Sequence, residues 1–119
     1  MNSNREYTDY LEDILEAAAK ARQFVKDVDF KAFCANDEKV FAVIRALEII
    51  GEAAKNIPKS IRRRYNEIPW EDMVGMRNKV THDYFGVDLE VIWKTLHEDL
   101  PPLRTSVAKI LQDLKKNEI

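Results

Sequence analysis

Residues 37–56 decide the fold most clearly, and they read DEKVFAVIRALEIIGEAAKN. Apolar side chains recur there every three or four positions, a spacing that places them on one face of an α-helix. Asn36 is a suitable N-cap for this helix, and Pro58 stops it. The small residues Gly51 and Ala54 lie near the apolar face, where they allow a neighbouring helix to approach closely. The apolar face consists of Val40, Val43, Ile44, Leu47, Ile50, Ala54 and Ile57.

Two further segments with the helical period lie on either side of this one. The first runs from about Asn4 to Val28, and Ser3 with Glu6 fits a capping box at its start. The other begins at Pro69, a residue well suited to the first turn of a helix, and ends before Gly86.

A fourth segment starts at Asp88, a good N-cap, and contains Pro101 and Pro102. Each proline removes a backbone donor, so either the helix kinks there or two helices meet end to end. We expect a kink, because the apolar positions stay in phase across both prolines. Four amphipathic helices with short connections predict an all-α fold. The expected form is an antiparallel four-helix bundle with a short extra helical turn and a Pro-kinked last helix.

Length and composition agree with a single helical domain spanning residues 1–119. Three glycines and four prolines are too few for the turns of a β-sandwich, and no Gly-rich loop is present to hold a nucleotide phosphate. The net charge of −2 argues against a protein coated in basic residues for nucleic-acid binding, but it says nothing about local clusters.

The sequence predicts no cofactor and no metal site. Cys34 is the single cysteine and cannot form an internal disulfide, and no Cys/His spacing resembles a zinc site. The first ten residues lack the apolar region of a signal peptide, and no run approaches the roughly 18 apolar residues of a membrane span. We therefore expect a cytoplasmic protein.

Residues 76–88, which read MRNKVTHDYFGVD, differ from a solvated helix face. Arg77 falls on the apolar face, where a bundle normally places leucine, and an unpaired buried charge is costly. Arg77 therefore needs a cleft or a partner, such as Glu48 or Glu52. His82 follows five residues later, about 140° away around an ideal helix. Either the helix opens between the two residues, or two chains assemble the site.

The spacing Arg77-x4-His82-x-Tyr84 resembles the signature of the HepT-like toxins of the HEPN superfamily. Asn78 matches the polar residue that usually follows the arginine. Similar flanking text occurs at residues 50–54 (IGEAA), 69–70 (PW) and 83–88 (DYFGVD). The resemblance implies a metal-independent endoribonuclease that acts as the toxin of a toxin–antitoxin pair. It also implies a homodimer with a shared cleft, and an antitoxin of the minimal nucleotidyltransferase type that transfers AMP to Tyr84.

These residue types suit the implied chemistry. RNA cleavage by the 2′-OH needs a group that moves protons near neutral pH, which is the role assigned to His82. It also needs a fixed positive charge on the phosphoryl oxygens, which Arg77 supplies. Asn78 is a candidate hydrogen-bonding support, and Tyr84 orients the phosphate or the histidine. Taken alone, His82 would more simply be a residue that interacts with a helix dipole.

A basic segment precedes this motif in the chain. Its positive charges form either a track for the RNA backbone, a contact for the antitoxin, or a solvated helix face. The candidate residues are Lys55, Lys59, Arg62, Arg63, Arg64 and, within the motif, Lys79.

Two other functions remain open. One is a non-catalytic helical module that binds a nucleotide or a partner protein through Arg77 and His82. The other is a purely structural dimerisation bundle. Trp70 and Trp93 lie on apolar faces and are expected in the core, and His97 is expected to be a surface or packing residue.

Overall fold

The computed structural model describes residues 6–75 and 88–116, and within them the chain is helical and contains no strand. The all-α class predicted from the sequence is confirmed. None of the helices in these ranges is long and apolar enough to cross a membrane. The elements are α1 (Tyr7–Phe24), α2 (Phe30–Cys34), α3 (Asp37–Lys55), α4 (Lys59–Arg64), α5 (residues 70–75), α6 (Leu89–Lys94), a π-helical turn (Thr95–Asp99) and α7 (Leu100–Lys116).

Helix α1 begins later than the sequence suggested. Glu6 is extended and forms the N-cap, so the predicted start at Asn4 is wrong. Ser3, the other residue of the predicted capping box, lies outside the described residues. Glu6 instead pairs with Asp9, whose carboxylate accepts a hydrogen bond from the backbone N–H of Glu6 at 3.0 Å. Glu6 and Asp9, three positions apart, thus form the same reciprocal hydrogen bonds as the serine and glutamate of a capping box.

The end of α1 and the short helix α2 were also missed. Asp27 adopts a left-handed backbone conformation (φ 60°), which turns the chain before it reaches the predicted end at Val28. The side chain of Asp29 then caps α2 by accepting from the N–H of Ala32 at 2.8 Å. Buried Phe33 ties α2 to the core.

Helix α3 matches its prediction and lies against α1. The Asn36 side chain accepts from the N–H of Lys39 at 3.1 Å, as an N-cap does. Lys39 Nζ donates to the carbonyl of Phe24 at 2.9 Å. The start of α3 therefore lies beside the end of α1, and the two helices run antiparallel. Helix α1 also packs against α7, so its buried face meets both partners.

The last helical segment continues through both prolines, which are the second and third residues of α7. Asp88 caps α6 as predicted, since its Oδ1 accepts from the N–H groups of Glu90 and Val91. The distortion expected at the prolines takes the form of a π-helical turn just before them, in which the N–H of Leu100 donates to the carbonyl of Thr95. A π-turn is one of the recognised ways in which a long helix accommodates a disrupted hydrogen-bond ladder.

The tryptophans pack as the sequence predicted. Trp70 is 5% exposed, and its Nε1 donates to the carbonyl of Tyr65 at 3.1 Å. Trp93 is half-buried, with ring centroids 5.2 Å from Phe33 and 4.2 Å from His97. His97 is exposed, and its Nδ1 lies 2.9 Å from the carbonyl of Trp93.

Candidate functional site

The predicted catalytic motif lies outside the described residues. This applies to all five of its candidate residues, Arg77, Asn78, Lys79, His82 and Tyr84. The structure describes the segments that lead into and out of the motif: α5, which reaches Gly75, and the cap of α6 at Asp88. Of the two partners considered for Arg77, Glu48 is half-buried and Glu52 is exposed on α3. The pairing of Arg77 with either residue stays a prediction.

The remaining candidates lie around α4. Lys59 and Arg63 are four residues apart on this helix, so their side chains project from the same face. Both are exposed. Lys55 ends α3 and is exposed, and the Arg64 guanidinium lies over the ring of Tyr65, 5.3 Å from its centroid. Exposed cations on one helix face are available to an anionic ligand.

Arg62 differs from its neighbours because it is half-buried and hydrogen-bonded to the main chain. Its Nε donates to the carbonyl of Ile57 at 3.0 Å. Its Nη2 donates to the carbonyls of Ala54 and Lys55 at 2.8 and 2.9 Å. The guanidinium thus caps the C-terminal end of α3 and anchors α4 to it. The sequence contained a signal for this role, since the last carbonyls of a helix are unpaired and a basic residue soon after it can reach them.

A groove of about 550 Å³ separates α4 from the start of α5. Lys59 and Arg63 line one side, and the acidic residues Glu71 and Asp72 in the first turn of α5 line the other. Its lining consists of Lys59, Arg62, Arg63, Asn66, Ile68, Pro69, Trp70, Glu71 and Asp72. The periodicity of the sequence does not predict this groove. Its two sides come from different helices, and their relative placement depends on the hydrogen bonds of Arg62 and Trp70.

Charges in the groove are not neutralised by ion pairs within the described part of the chain. Neither Lys59 nor Arg63 forms a salt bridge there with Glu71 or Asp72. Pro69 in the lining is exposed, whereas Ile68 is 3% exposed and Trp70 5%. The groove thus combines a cationic side and an acidic side with a mainly apolar lining.

The carboxyl of Glu16, on α1 and outside the groove, has a lowered pKa. A hydrogen bond from Lys20, and then the charge of Lys20, hold the pKa of Glu16 below its usual value. In the same ranges, no group of three or more His, Cys, Asp or Glu side chains is arranged to hold a metal ion.

The all-α fold and the comparison with known families together define a helical protein of the HEPN class, and Arg77-x4-His82 lies in the sequence between α5 and α6. The family model described as "Ribonuclease HepT-like" matches residues 14–110. The chain belongs to the HepT-like ribonuclease family.

Relatives match over nearly their whole length. A protein of Thermococcus cleftensis named "Probable ribonuclease HepT" is 50% identical over 106 residues, which cover 89% of this chain and 96% of that protein. A protein of Methanocaldococcus jannaschii named "Putative RNase MJ0125" is 42% identical over 112 residues, covering 94% and 97%. One from Caldanaerobacter subterraneus, "Putative RNase TTE0752", is 42% identical over 106 residues, covering 89% and 95%. No solved structure matches the chain significantly.

Proposed function

We propose that this protein is a metal-independent endoribonuclease of the cytoplasm and the toxin of a toxin–antitoxin pair. The observation that carries the proposal is the spacing Arg77-x4-His82-x-Tyr84 in a chain that belongs to the HepT-like ribonuclease family. A histidine and an arginine provide the two groups that cleavage of RNA by its own 2′-OH requires.

In the proposed reaction, His82 removes the proton from a ribose 2′-OH, and the 2′-oxygen attacks the adjacent phosphorus. The bond from phosphorus to the 5′-oxygen breaks, and that oxygen takes up a proton. The products end in a 2′,3′-cyclic phosphate and a 5′-OH. Arg77 donates hydrogen bonds to the phosphoryl oxygens, on which negative charge grows in the transition state. Asn78 supports this contact, and Tyr84 orients the phosphate or His82.

A homodimer completes the site in this proposal. Arg77 and His82 are about 140° apart around an ideal helix, so one unbroken helix cannot direct both at the same phosphate. A two-fold interface brings two copies of the segment together and forms a two-sided cleft.

The proposed antitoxin is a minimal nucleotidyltransferase that transfers AMP to the hydroxyl of Tyr84. The added group brings bulk and negative charge into the cleft, where both oppose the binding of RNA. Mass spectrometry after co-expression with a minimal nucleotidyltransferase tests the step, with Tyr84→Phe as the control. If the toxin is neutralised while Tyr84 stays unmodified, the antitoxin inhibits it by occluding the cleft instead.

RNA cleavage in the presence of EDTA tests the activity itself. The wild type is expected to produce fragments ending in a 2′,3′-cyclic phosphate, and Arg77→Ala and His82→Ala are expected to lose this activity. His97→Ala is the matched control, because His97 is the other histidine and is exposed on the π-helical turn. A wild type that binds RNA but leaves it intact would instead identify a non-catalytic binding module.

A further inference from the structure

We propose that the groove between α4 and α5 holds one nucleotide of the RNA strand outside the cleaved bond. The phosphate lies on Lys59 and Arg63, and the base directs its amino edge at Glu71 and Asp72. This inference rests on the proposed ribonuclease function and adds to it a subsite with a preference among bases.

The cationic side of the groove is suited to a phosphate. Lys59 and Arg63 are four residues apart on α4, so their side chains can reach the same oxygen-rich group. Arg62 holds α4 in place through three hydrogen bonds, two to carbonyl oxygens at the end of α3 and one to that of Ile57 in the turn that follows. The two exposed cations therefore project from an anchored helix, which lowers the entropy cost of binding.

The acidic side gives the groove a preference among bases, which a groove lined only by cations would lack. Carboxylates repel phosphates but accept hydrogen bonds from amino groups of bases, including N4 of cytosine. Uracil presents a carbonyl oxygen at the equivalent position, which a carboxylate does not bind. A nucleotide with its phosphate at α4 and its base at α5 satisfies both sides of the groove at once.

The shape and composition of the groove favour a nucleotide over a protein segment. A volume of about 550 Å³ lies within the range of small-ligand sites. Protein partners are usually anchored by apolar and aromatic contacts, whereas Ile68 and Trp70 are almost fully buried beneath this groove. A mainly apolar lining with a few charged groups at opposite sides is typical of a site for a small ligand such as one nucleotide.

The chain itself places the groove near the proposed catalytic residues. Asp72 precedes Arg77 by five residues, and five residues span at most about 18 Å even when fully extended. An RNA strand that reaches Arg77 can therefore also occupy the groove.

Binding of 2′-O-methyl oligonucleotides tests the phosphate contact, because they cannot react through the 2′-OH and allow the wild-type protein to be used. The affinity of fluorescein-labelled 2′-O-methyl oligocytidylate is measured by anisotropy over a series of salt concentrations. The double variant Lys59→Gln/Arg63→Gln is expected to bind on the order of tenfold more weakly, with a salt slope smaller by about 0.7, since one neutralised phosphate of a single strand contributes about 0.7.

The double variant Lys115→Gln/Lys116→Gln is the matched control. It removes the same charge from two exposed residues at the end of α7 and is expected to keep the wild-type salt slope. Equal slopes for the wild type and the α4 variant would overturn the inference. So would an α4 variant that binds RNA normally but loses the nucleotidyltransferase, since the groove would then be a protein contact.

Base preference tests the acidic side. The wild type is expected to bind oligocytidylate about fivefold more tightly than oligouridylate, the equivalent of one net hydrogen bond. Glu71→Gln/Asp72→Asn is expected to remove this preference. Asp37→Asn/Glu38→Gln should retain it, because these acids occupy the corresponding first turn of α3. Equal binding of the two oligonucleotides by the wild type would overturn the assignment of the base.

The two proposals fail in different ways. If the wild type cleaves RNA in EDTA but the α4 variant binds oligonucleotides as the wild type does, the subsite is refuted and the ribonuclease function stands. A wild type that cleaves no RNA refutes the proposed function, whichever oligonucleotides it binds.

Discussion

Arg22 Nη1 donates a hydrogen bond to the carbonyl of Leu96 at 3.3 Å, and so joins the last turn of α1 to the π-helical turn. In the π-helical register, the carbonyl of residue 96 would receive its bond from the amide of residue 101. Residue 101 is a proline and has no amide hydrogen. Arg22 therefore supplies the donor that Pro101 lacks.

Loss of this donor should destabilise the fold. Arg22→Ala is expected to lower the free energy of unfolding by about 1–2 kcal/mol, because the carbonyl of Leu96, a buried residue, loses its charged partner. Arg104→Ala, which removes an exposed arginine from α7, should change it by less than about 0.5 kcal/mol. Urea denaturation measures both values. Equal midpoints for the two variants would show that the Leu96 carbonyl does not need Arg22.

Restoring the amide should make Arg22 less important. Pro101→Ala provides an N–H within reach of the Leu96 carbonyl, so we expect Arg22→Ala to cost less in that background than in the wild type. A double-mutant cycle of unfolding free energies measures this coupling, which should be at least about 0.5 kcal/mol. Strictly additive effects would mean that Arg22 acts through its packing alone.

Arg62 should matter to stability in a way that its neighbour does not. Arg62→Gln loses the fork that joins three carbonyls at and just after the end of α3, and we expect it to reduce the free energy of unfolding by about 1–3 kcal/mol. Arg63→Gln removes the same charge from an exposed position and should be nearly neutral. Chemical denaturation compares the two, and a large loss in Arg63→Gln would contradict this division of roles.

These particular residues show what the sequence could and could not predict. Helix α3 was predicted within a residue at each end, since its cap at Asn36, its apolar period and its stop at Pro58 are all local signals. The turn at Asp27 was missed because a left-handed aspartate leaves no periodic trace. The turn comes just before α2, a helix too short for periodicity to detect.

The site divides in the same way. The motif from Arg77 to Tyr84 was recognised by spacing, and its geometry stays a prediction. For the basic segment, the sequence grouped five cations of equal charge, whereas the structure separates Arg62, which is bonded to carbonyls, from exposed Lys59 and Arg63. That distinction depends on where the end of α3 lies relative to α4, which charge counting does not reveal.

Glu16 should titrate below the usual range of a glutamate. Lys20 Nζ lies 2.8 Å from its carboxylate, and this hydrogen bond lowers the pKa of Glu16 from 4.5. The pair therefore favours the folded state above the usual pKa, and this small effect is lost as the pH falls through the lowered pKa. Lys20→Ala should return the pKa to its ordinary value, as measured by carbon NMR of the carboxyl. An unchanged titration would show that the pair does not persist in solution.

Trp70 should affect both stability and cleavage, because it lies at the start of α5, seven residues before Arg77. Trp70→Phe keeps an aromatic ring in the core but loses the Nε1 donor to the Tyr65 carbonyl, which we expect to cost about 1 kcal/mol. Trp93→Phe is the matched control, since Trp93 packs through its ring against Phe33 and His97. If the hydrogen bond fixes where α5 begins, Trp70→Phe should lower kcat for RNA cleavage below that of Trp93→Phe at temperatures where both variants are fully folded. Equal kcat values with unequal free energies of unfolding would show that Trp70 only stabilises the fold. The position at which α5 begins would then not affect cleavage.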